Sequence, residues 1–382
     1  MKKILFCTPA PLTKSLGAAK VVVELAEEMQ ELGWECQLLS IKDLAAESGQ
    51  SLSESLRHYL REHAAEFDVV DYDHNYLPFP RTEFAPQTLF VARSVLLAHH
   101  FDVIPIPGSQ RLRSRAKRLI CGDWERRASR ARTQQAHKTV QAADLVNVCN
   151  EDDKAELMRC GVSGDKIIVI PFGISRSRRP LFDAISSEVP SKPVVAFVGT
   201  FDYRKGAREF SGIVQEIVAA VPEVGFRLLG TAGLFQTVAE VLAHFSSSLR
   251  QRIEVIPRYK PEELPALLSA CSAGIFPSHV EGMPFGVLEM LAASVPVIAY
   301  NSPGPPMMLP PEYLVTRGDA RAMGGKVISL LTDAAKLRNA RIWAQQRSHN
   351  FDWVEIARTT ENVYVRHIEV KEQRDERKAF YK

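Results

Sequence analysis

Short apolar runs alternate with amphipathic stretches along most of the chain, and the alternation runs through twice. In the first half "KILFCTPA" reads as a buried strand. "AAKVVVELAEEMQELG" has helical period and stops at Gly33, and "ECQLLSI" is the next strand. "SLSESLRHYLREHAAEF" is helical, and "DVVDYDH" and "QTLFVARSV" are strands. After a basic helical stretch come the strand "ADLVNVCN", the helix "EDDKAELMRCGV" and the closing strand "KIIVIPFGI". The pattern fades from Ser175 to Lys192, which reads as a linker. It then restarts. "PVVAFVGT", "GFRLLGT", "IEVIPR", "AGIFPS" and "VPVIAY" are strands. "GAREFSGIVQEIVAAVP", "QTVAEVLAHFSSSLRQ", "PEELPALLSAC" and "FGVLEMLAAS" are the helices between them. Two consecutive βα alternations predict an α/β protein of two Rossmann-like, doubly wound parallel-sheet domains facing across a cleft. In such sheets ligands sit beyond the carboxyl ends of the strands.

Composition changes this picture little. The 382 residues suit two domains, and 46% hydrophobic with 24% charged residues is ordinary for a globular chain. No apolar run approaches the roughly 18 residues a membrane helix needs. The opening "MKKILFCTPAP" is too brief for a signal peptide and is broken by Pro9 and Pro11. The six cysteines show no C-x-x-C and no pairing with histidine, so they read as reduced core residues of a cytoplasmic protein. Net charge is +3, but Gly108 to Lys138 carries ten Lys/Arg against Asp123 and Glu125. That segment alone is +8 and the remainder −5. Arg111, Arg115 and Arg118 share a helical face with apolar neighbours, which suits peripheral contact of segment 108–138 with an anionic membrane, at the inner face, or with a lipid-diphosphate acceptor. A solvated helical hairpin explains the same residues. Aromatic residues for base stacking are scarce there, which argues against nucleic acid.

Three loops at predicted strand ends carry the candidate chemistry. In "AGIFPSHVEGMPFGVLEMLAAS", Glu281 follows a strand and Glu289 lies more than one turn into a helix. Gly282 and Gly286 admit a close ligand, Pro284 suits the first helical position, and the unpaired amides of a helix start favour a phosphate. The same stretch equally suits a βα turn with an exposed glutamate at each end. "FVGTFDYRKG" puts Gly199, Thr200, Arg204, Lys205 and Gly206 at another strand end, a combination that suits a diphosphate or simply a polar loop. "PAPLTKSLGAAK", with Ser15, Leu16, Gly17 and Ala18, suits the other wall of the cleft or a routine βα connection.

Together these motifs resemble the retaining glycosyltransferases of the family 4 type (glycosyl transferases group 1), which have the GT-B fold. The likeness rests on "VGTFDYRKG", "EGMPFGVLEMLAASVPVIA", "KIIVIPFGI" at the domain junction and "NFDWVEIARTTENVY" as a closing helix. It implies an acceptor-side domain of residues 1–175, completed by a C-terminal helix at about 352–382, and a nucleotide-sugar domain of residues 190–351. It also implies transfer of a sugar from a UDP- or GDP-sugar to a glycan, a lipid-linked or another acceptor, with no cofactor. Glu281 would sit by the donor sugar and Glu289 would hold the ribose hydroxyls. Lys205 and Arg204 would neutralise the leaving diphosphate, so no divalent metal is needed. Met283, Phe285 and Val287 fall within the donor-binding segment. Arg258 or Tyr259, in "PRYKPEE", is the candidate contact to the base.

The chain departs from the family at several places. Thr200 stands where Arg is usual, Gly17-Ala18 replaces two glycines, Phe172 replaces Asn and Pro303-Gly304 replaces a second Gly-Gly. At the first-domain strand end where the family often has histidine, Val95 appears, with Arg93 beside it and His99 and His100 beyond. These departures motivate a competing reading, a nucleotide-binding protein that has lost its chemistry; a nucleotide-sugar epimerase on the same fold is another. "DYD", Asp71 to Asp73, has a metal-binding form but reads as a strand-end turn, and "LGTAG" lacks the dinucleotide pattern.

Overall fold

The computed structural model describes residues 1–12, 17–103 and 129–380, and describes side chains among them except at 17–19, 102–103 and 374–380. The described residues form two compact units, each built on a six-stranded sheet in which every pairing is parallel.

In the first unit the strands are β1 (Lys3–Thr8), β2 (Glu35–Ser40), β3 (Val69–Asp73), β4 (Leu89–Arg93), β5 (Leu145–Val148) and β6 (Ile167–Val169). They lie in the order β2-β1-β3-β4-β5-β6. The helices are α1 (Gly17–Glu31), α2 (Ile41–Ser48), α3 (Leu52–His63), α4 (129–142) and α5 (Glu151–Arg159). β4 is buried along its whole length, as a parallel strand covered on both faces must be. The sequence pattern passes over α2, which is only eight residues long. Its ends are nonetheless well specified: the Ser40 side chain accepts from the Asp43 amide, and Gly49 closes the helix at φ 69°.

The second unit begins at Gly173, so the presumed linker belongs to it. That stretch holds α6 (Arg179–Asp183) and buries Arg178 and Arg179. Arg179 bonds the Ser348 hydroxyl at 3.0 Å and the Ser348 carbonyl at 3.0 Å. A polar, aperiodic sequence is thus fixed by bonds to distant backbone, which no local pattern reveals.

The second sheet contains β7 (Val194–Val198), β8 (Gly225–Leu229), β9 (Ile253–Ile256), β10 (Ala273–Phe276), β11 (Val297–Asn301) and β12 (Leu314–Thr316). Its order is β12-β11-β10-β7-β8-β9. This is the doubly wound dinucleotide-binding order, with its reversal between β7 and β10. The helices are α7 (Phe210–Ala220), α8 (Val238–Leu242), α9 (Ser247–Arg250), α10 (Leu264–Ser269), α11 (Phe285–Ala292), α12 (Ala320–Leu331) and α13 (Ala334–Ser348). The single helix expected over "QTVAEVLAHFSSSLRQ" is two short ones: Ser246 takes an extended backbone before α9, and serine favours such positions over helix interiors.

The chain then returns to the first unit as α14 (Trp353–Phe380), packed on α1 and β4. The Trp353 indole donates to Glu24 at 2.8 Å, and the Tyr364 hydroxyl donates to Asp71 at 2.6 Å.

A candidate donor site at the switch point of the second sheet

The loops after β7 and β10 meet where the strand order reverses. After β7 the chain turns at Gly199 and folds back through Asp202. The Asp202 carboxylate accepts from the Thr200 hydroxyl at 2.8 Å and from the Lys205 amide at 2.9 Å. Gly206 then adopts φ 82°, and a Cβ there would overlap the Pro277 carbonyl at the end of β10. This close approach brings Arg204 and Lys205 onto the β10 loop.

There they meet Glu281. The Lys205 ammonium lies 2.5 Å from Glu281 Oε1, and Arg204 Nη1 donates to the same oxygen at 2.7 Å. The Ser278 hydroxyl donates to it as well. Arg204 also bonds the Val280 carbonyl at 2.9 Å, and the His279 amide donates to the Arg204 carbonyl at 2.8 Å. Lys205 lies over the Phe276 ring, 4.6 Å from its centroid. All three side-chain contacts fall on Oε1, and among the described residues Oε2 accepts none. Glu281 is 5% exposed and Glu289 8%, so neither is the surface charge that spacing alone permits.

Burial works to raise the Glu281 carboxyl, but Arg204 and Lys205 outweigh it and hold the group below the ordinary carboxylate range. The Lys205 ammonium is pushed down, first by burial and then by Arg204, with Glu281 only partly compensating. Two cations therefore share one carboxylate in a water-poor setting, and an arriving anion stabilises both.

Around this cluster the backbone is close-packed. A Cβ at Gly286 would overlap the Val198 carbonyl, so the start of α11 lies directly on the end of β7. Pro284 sits at the cap position, one residue before the helix, not at its first turn as expected. Gly282, Met283, Pro284 and Val287 are buried and Phe285 half-buried. Gly304, at φ 104°, abuts the Glu281 Cβ, and the Glu281 amide donates to the Pro303 carbonyl at 3.0 Å. The Pro303-Gly304 departure thus keeps the one glycine that contact requires.

Glu289, on α11, accepts from Arg178 Nη2 at 2.8 Å. The Tyr259 hydroxyl is pushed up by burial and then by the charge of Glu289, and its ring packs on Gly230 at the end of β8. Tyr259, Glu289 and Arg178 therefore gather beside the β8 and β9 ends. Arg258 does not join them: it is exposed and bonds Gln236 at 2.8 Å. Sequence reasoning passed over Arg178, Asp202 and Ser278. The run "SRSRRP" is the one signal for Arg178, and it was absorbed into the presumed linker.

In the first unit, Ser15 and Leu16 lie outside the described residues, as do positions 104–128 of the basic stretch; Gly17 and Ala18 open α1. Arg93 ends β4, and it is spent on structure. Its guanidinium bonds Asp71 at 2.6 Å and the Tyr364 hydroxyl at 2.8 Å, all three groups being buried. These bonds also occupy the Asp71 of "DYD". Val95 is half-buried in a bend beyond β4, and His99 and His100 lie on the following turn.

The comparisons give the family and the fold. The family described as glycosyl transferases group 1 matches residues 192–333, and the one described as glycosyltransferase family 4 matches residues 16–178. The chain belongs to the group 1, family 4-type glycosyltransferases, a family of transferase enzymes. Sucrose-phosphate synthase from Thermosynechococcus elongatus superposes with a TM-score of 0.74 at 18% identity, covering 97% of this chain and 100% of that one. The Anabaena protein HepE in complex with UDP-glucose superposes at 0.66 with 16% identity, covering 95% and 99%. The fold is GT-B. By sequence, the glycogen synthase of Mycobacterium tuberculosis is 29% identical over 241 residues, 59% of this chain. The match spans only 55% of that relative's length.

Proposed function

We propose that this chain is a retaining glycosyltransferase that moves a sugar from a UDP- or GDP-sugar to a glycan, glycolipid or other acceptor without a divalent metal. The observation that carries the reading is the meeting of Arg204, Lys205 and Glu281 at the switch point of the second sheet. In the reaction the bond from the anomeric carbon to the diphosphate oxygen breaks, and its electron pair leaves with the diphosphate. The acceptor hydroxyl forms the new bond and its proton is lost to the departing phosphate. Negative charge grows on the diphosphate as the bond breaks. Arg204 and Lys205 are the fixed cations beside that charge, so they favour the transition state over the bound donor. The free Oε2 of Glu281 suits a donor-sugar hydroxyl. Glu289 suits the ribose diol, exchanging Arg178 for the nucleotide, with Tyr259 beside it. HepE, whose structure holds UDP-glucose, has the same fold, which supports a nucleotide-sugar donor. A cytoplasmic setting is in keeping with the five described cysteines, all free thiols.

The test is a thermal-shift screen with UDP, GDP and their sugars, followed by transfer assays over an acceptor panel. One nucleotide is expected to stabilise the native chain and not Lys205→Ala or Glu289→Ala. Transfer by Lys205→Ala and Glu281→Ala at native rates sinks the site assignment.

A further inference from the structure

Beneath the amino ends of β4, β5 and β6 the first unit holds a cavity of about 1000 Å³. Its position is unlike that of the donor site. Leu89 opens β4, Asp144 precedes β5 and Lys166 precedes β6, so the cavity lies at the opposite strand ends from those that carry ligands in open α/β sheets. One side is closed by α14 through Arg366, His367, Val370 and Lys371. A volume near the upper end of the roughly 300–1,000 Å³ of small-molecule sites exceeds what imperfect helix packing leaves behind.

The lining is rich in donors. Arg81, Lys166, Arg366, His367 and Lys371 face it, against the carboxylates of Asp144 and Asp165. Asp144 is already neutralised. It accepts from Arg81 at 2.9 Å, from Lys371 at 2.8 Å and from the Phe90 amide at 2.9 Å. Arg81 has further bonds to the carbonyls of Phe84, Ala85 and Thr88, so Arg81 and Lys371 serve as wall. Lys166 and Arg366 are different. Lys166 gives one bond, to the Gln141 carbonyl at 2.6 Å, and burial pushes its ammonium down. Arg366 is exposed, and its guanidinium has no bonded partner among the described residues. His367 has one ring nitrogen on the Val363 carbonyl, leaving the other for the cavity. The counter-charge left to these groups is Asp165, itself exposed to water. Phe84, Leu89 and Val370 supply an apolar wall.

We propose that this cavity binds a phosphate monoester with an uncharged organic body, Lys166 and Arg366 holding the phosphate and Phe84, Leu89 and Val370 the body. A phosphate brings acceptors for Lys166 and Arg366, and charge-assisted bonds to it are the strong kind. The ligand is a soluble phosphorylated small molecule or the headgroup of a phosphatidic-acid-type lipid; the chemistry is shared.

The test titrates the full chain with glycerol 3-phosphate by calorimetry, and floats it with phosphatidylcholine vesicles with and without phosphatidic acid. At least one probe is expected to bind, and Lys166→Glu/Arg366→Glu is expected to weaken it about tenfold or more. Lys205→Ala is expected to leave binding unchanged, which separates this cavity from the donor site. Binding of glycerol 3-phosphate alone assigns a soluble ligand, and flotation that needs phosphatidic acid assigns the lipid. If the double variant fails to fold, Arg366→Glu alone, at an exposed position, serves the same test. No binding of either probe at about 10 mM phosphate, or binding indifferent to the charge reversal, overturns the proposal.

Discussion

Lys205 and Glu281 form a buried ion pair at 2.5 Å that joins the loops after two adjacent parallel strands, β7 and β10. Its energetics are asymmetric, since losing one partner leaves the other charge with little water. Glu281→Leu is expected to cost about 3 kcal/mol in urea unfolding, and Lys205→Met added to it to recover much of that loss. Additive costs in the double variant would remove the pair from the account of stability.

Glu289 is expected to act on the nucleotide and not on the transferred sugar. Glu289→Gln keeps the shape and removes the charge, so UDP or GDP affinity in calorimetry is expected to fall roughly tenfold to hundredfold, the scale of one charge-assisted hydrogen bond. Unchanged affinity would take Glu289 out of the ribose contact.

Two glycines with nearly the same φ separate strain from crowding. Gly161 has φ 88° and open space where a Cβ would go, while Gly206 has φ 82° and the Pro277 carbonyl in the way. Gly161→Ala is expected to cost about 1 kcal/mol. Gly206→Ala is expected to cost more and to depress transfer, because it parts Lys205 from the β10 loop. Equal melting temperatures for the two variants would contradict this.

The first unit carries a pH dependence of its own. Burial, and then His74 and His137, lower His99 from 6.5 to about 4. The unfolded chain therefore binds that proton more readily, and stability falls as pH drops from about 6.5 towards 4. His99→Phe is expected to flatten this slope, measured as urea midpoint against pH, by the His99 share. His74, also lowered by burial, keeps the rest.

Tyr364 accepts from Arg93 and donates to Asp71. Tyr364→Phe is expected to destabilise the chain by about 1–3 kcal/mol, the cost of leaving buried polar groups short of a partner. Nucleotide affinity is expected to stay native, since these residues belong to the first unit and the donor site to the second.

Much of this was legible beforehand because parallel strands are buried on both faces. Runs such as "PVVAFVGT" and "AGIFPS" are apolar throughout, so strand and strand end were both readable, and with them the positions of Glu281 and Lys205. Short or locally capped elements were harder. α2 is set by its Ser40 and Gly49 ends, and the break between α8 and α9 by the extended backbone of Ser246, local features that a periodicity argument does not weigh.

By itself, then, the sequence determined two βα alternations and the candidates Arg204, Lys205, Glu281 and Glu289, since apolar periodicity and glycine placement act along the chain. Only the tertiary structure decided which charges meet. It placed Arg178 on Glu289, spent Arg93 on Asp71 and Tyr364, turned Arg258 towards Gln236, and drew the presumed linker into the second unit. An ion pair depends on distance through space, and distance between residues far apart in sequence exists only once the sheets have set their strand order.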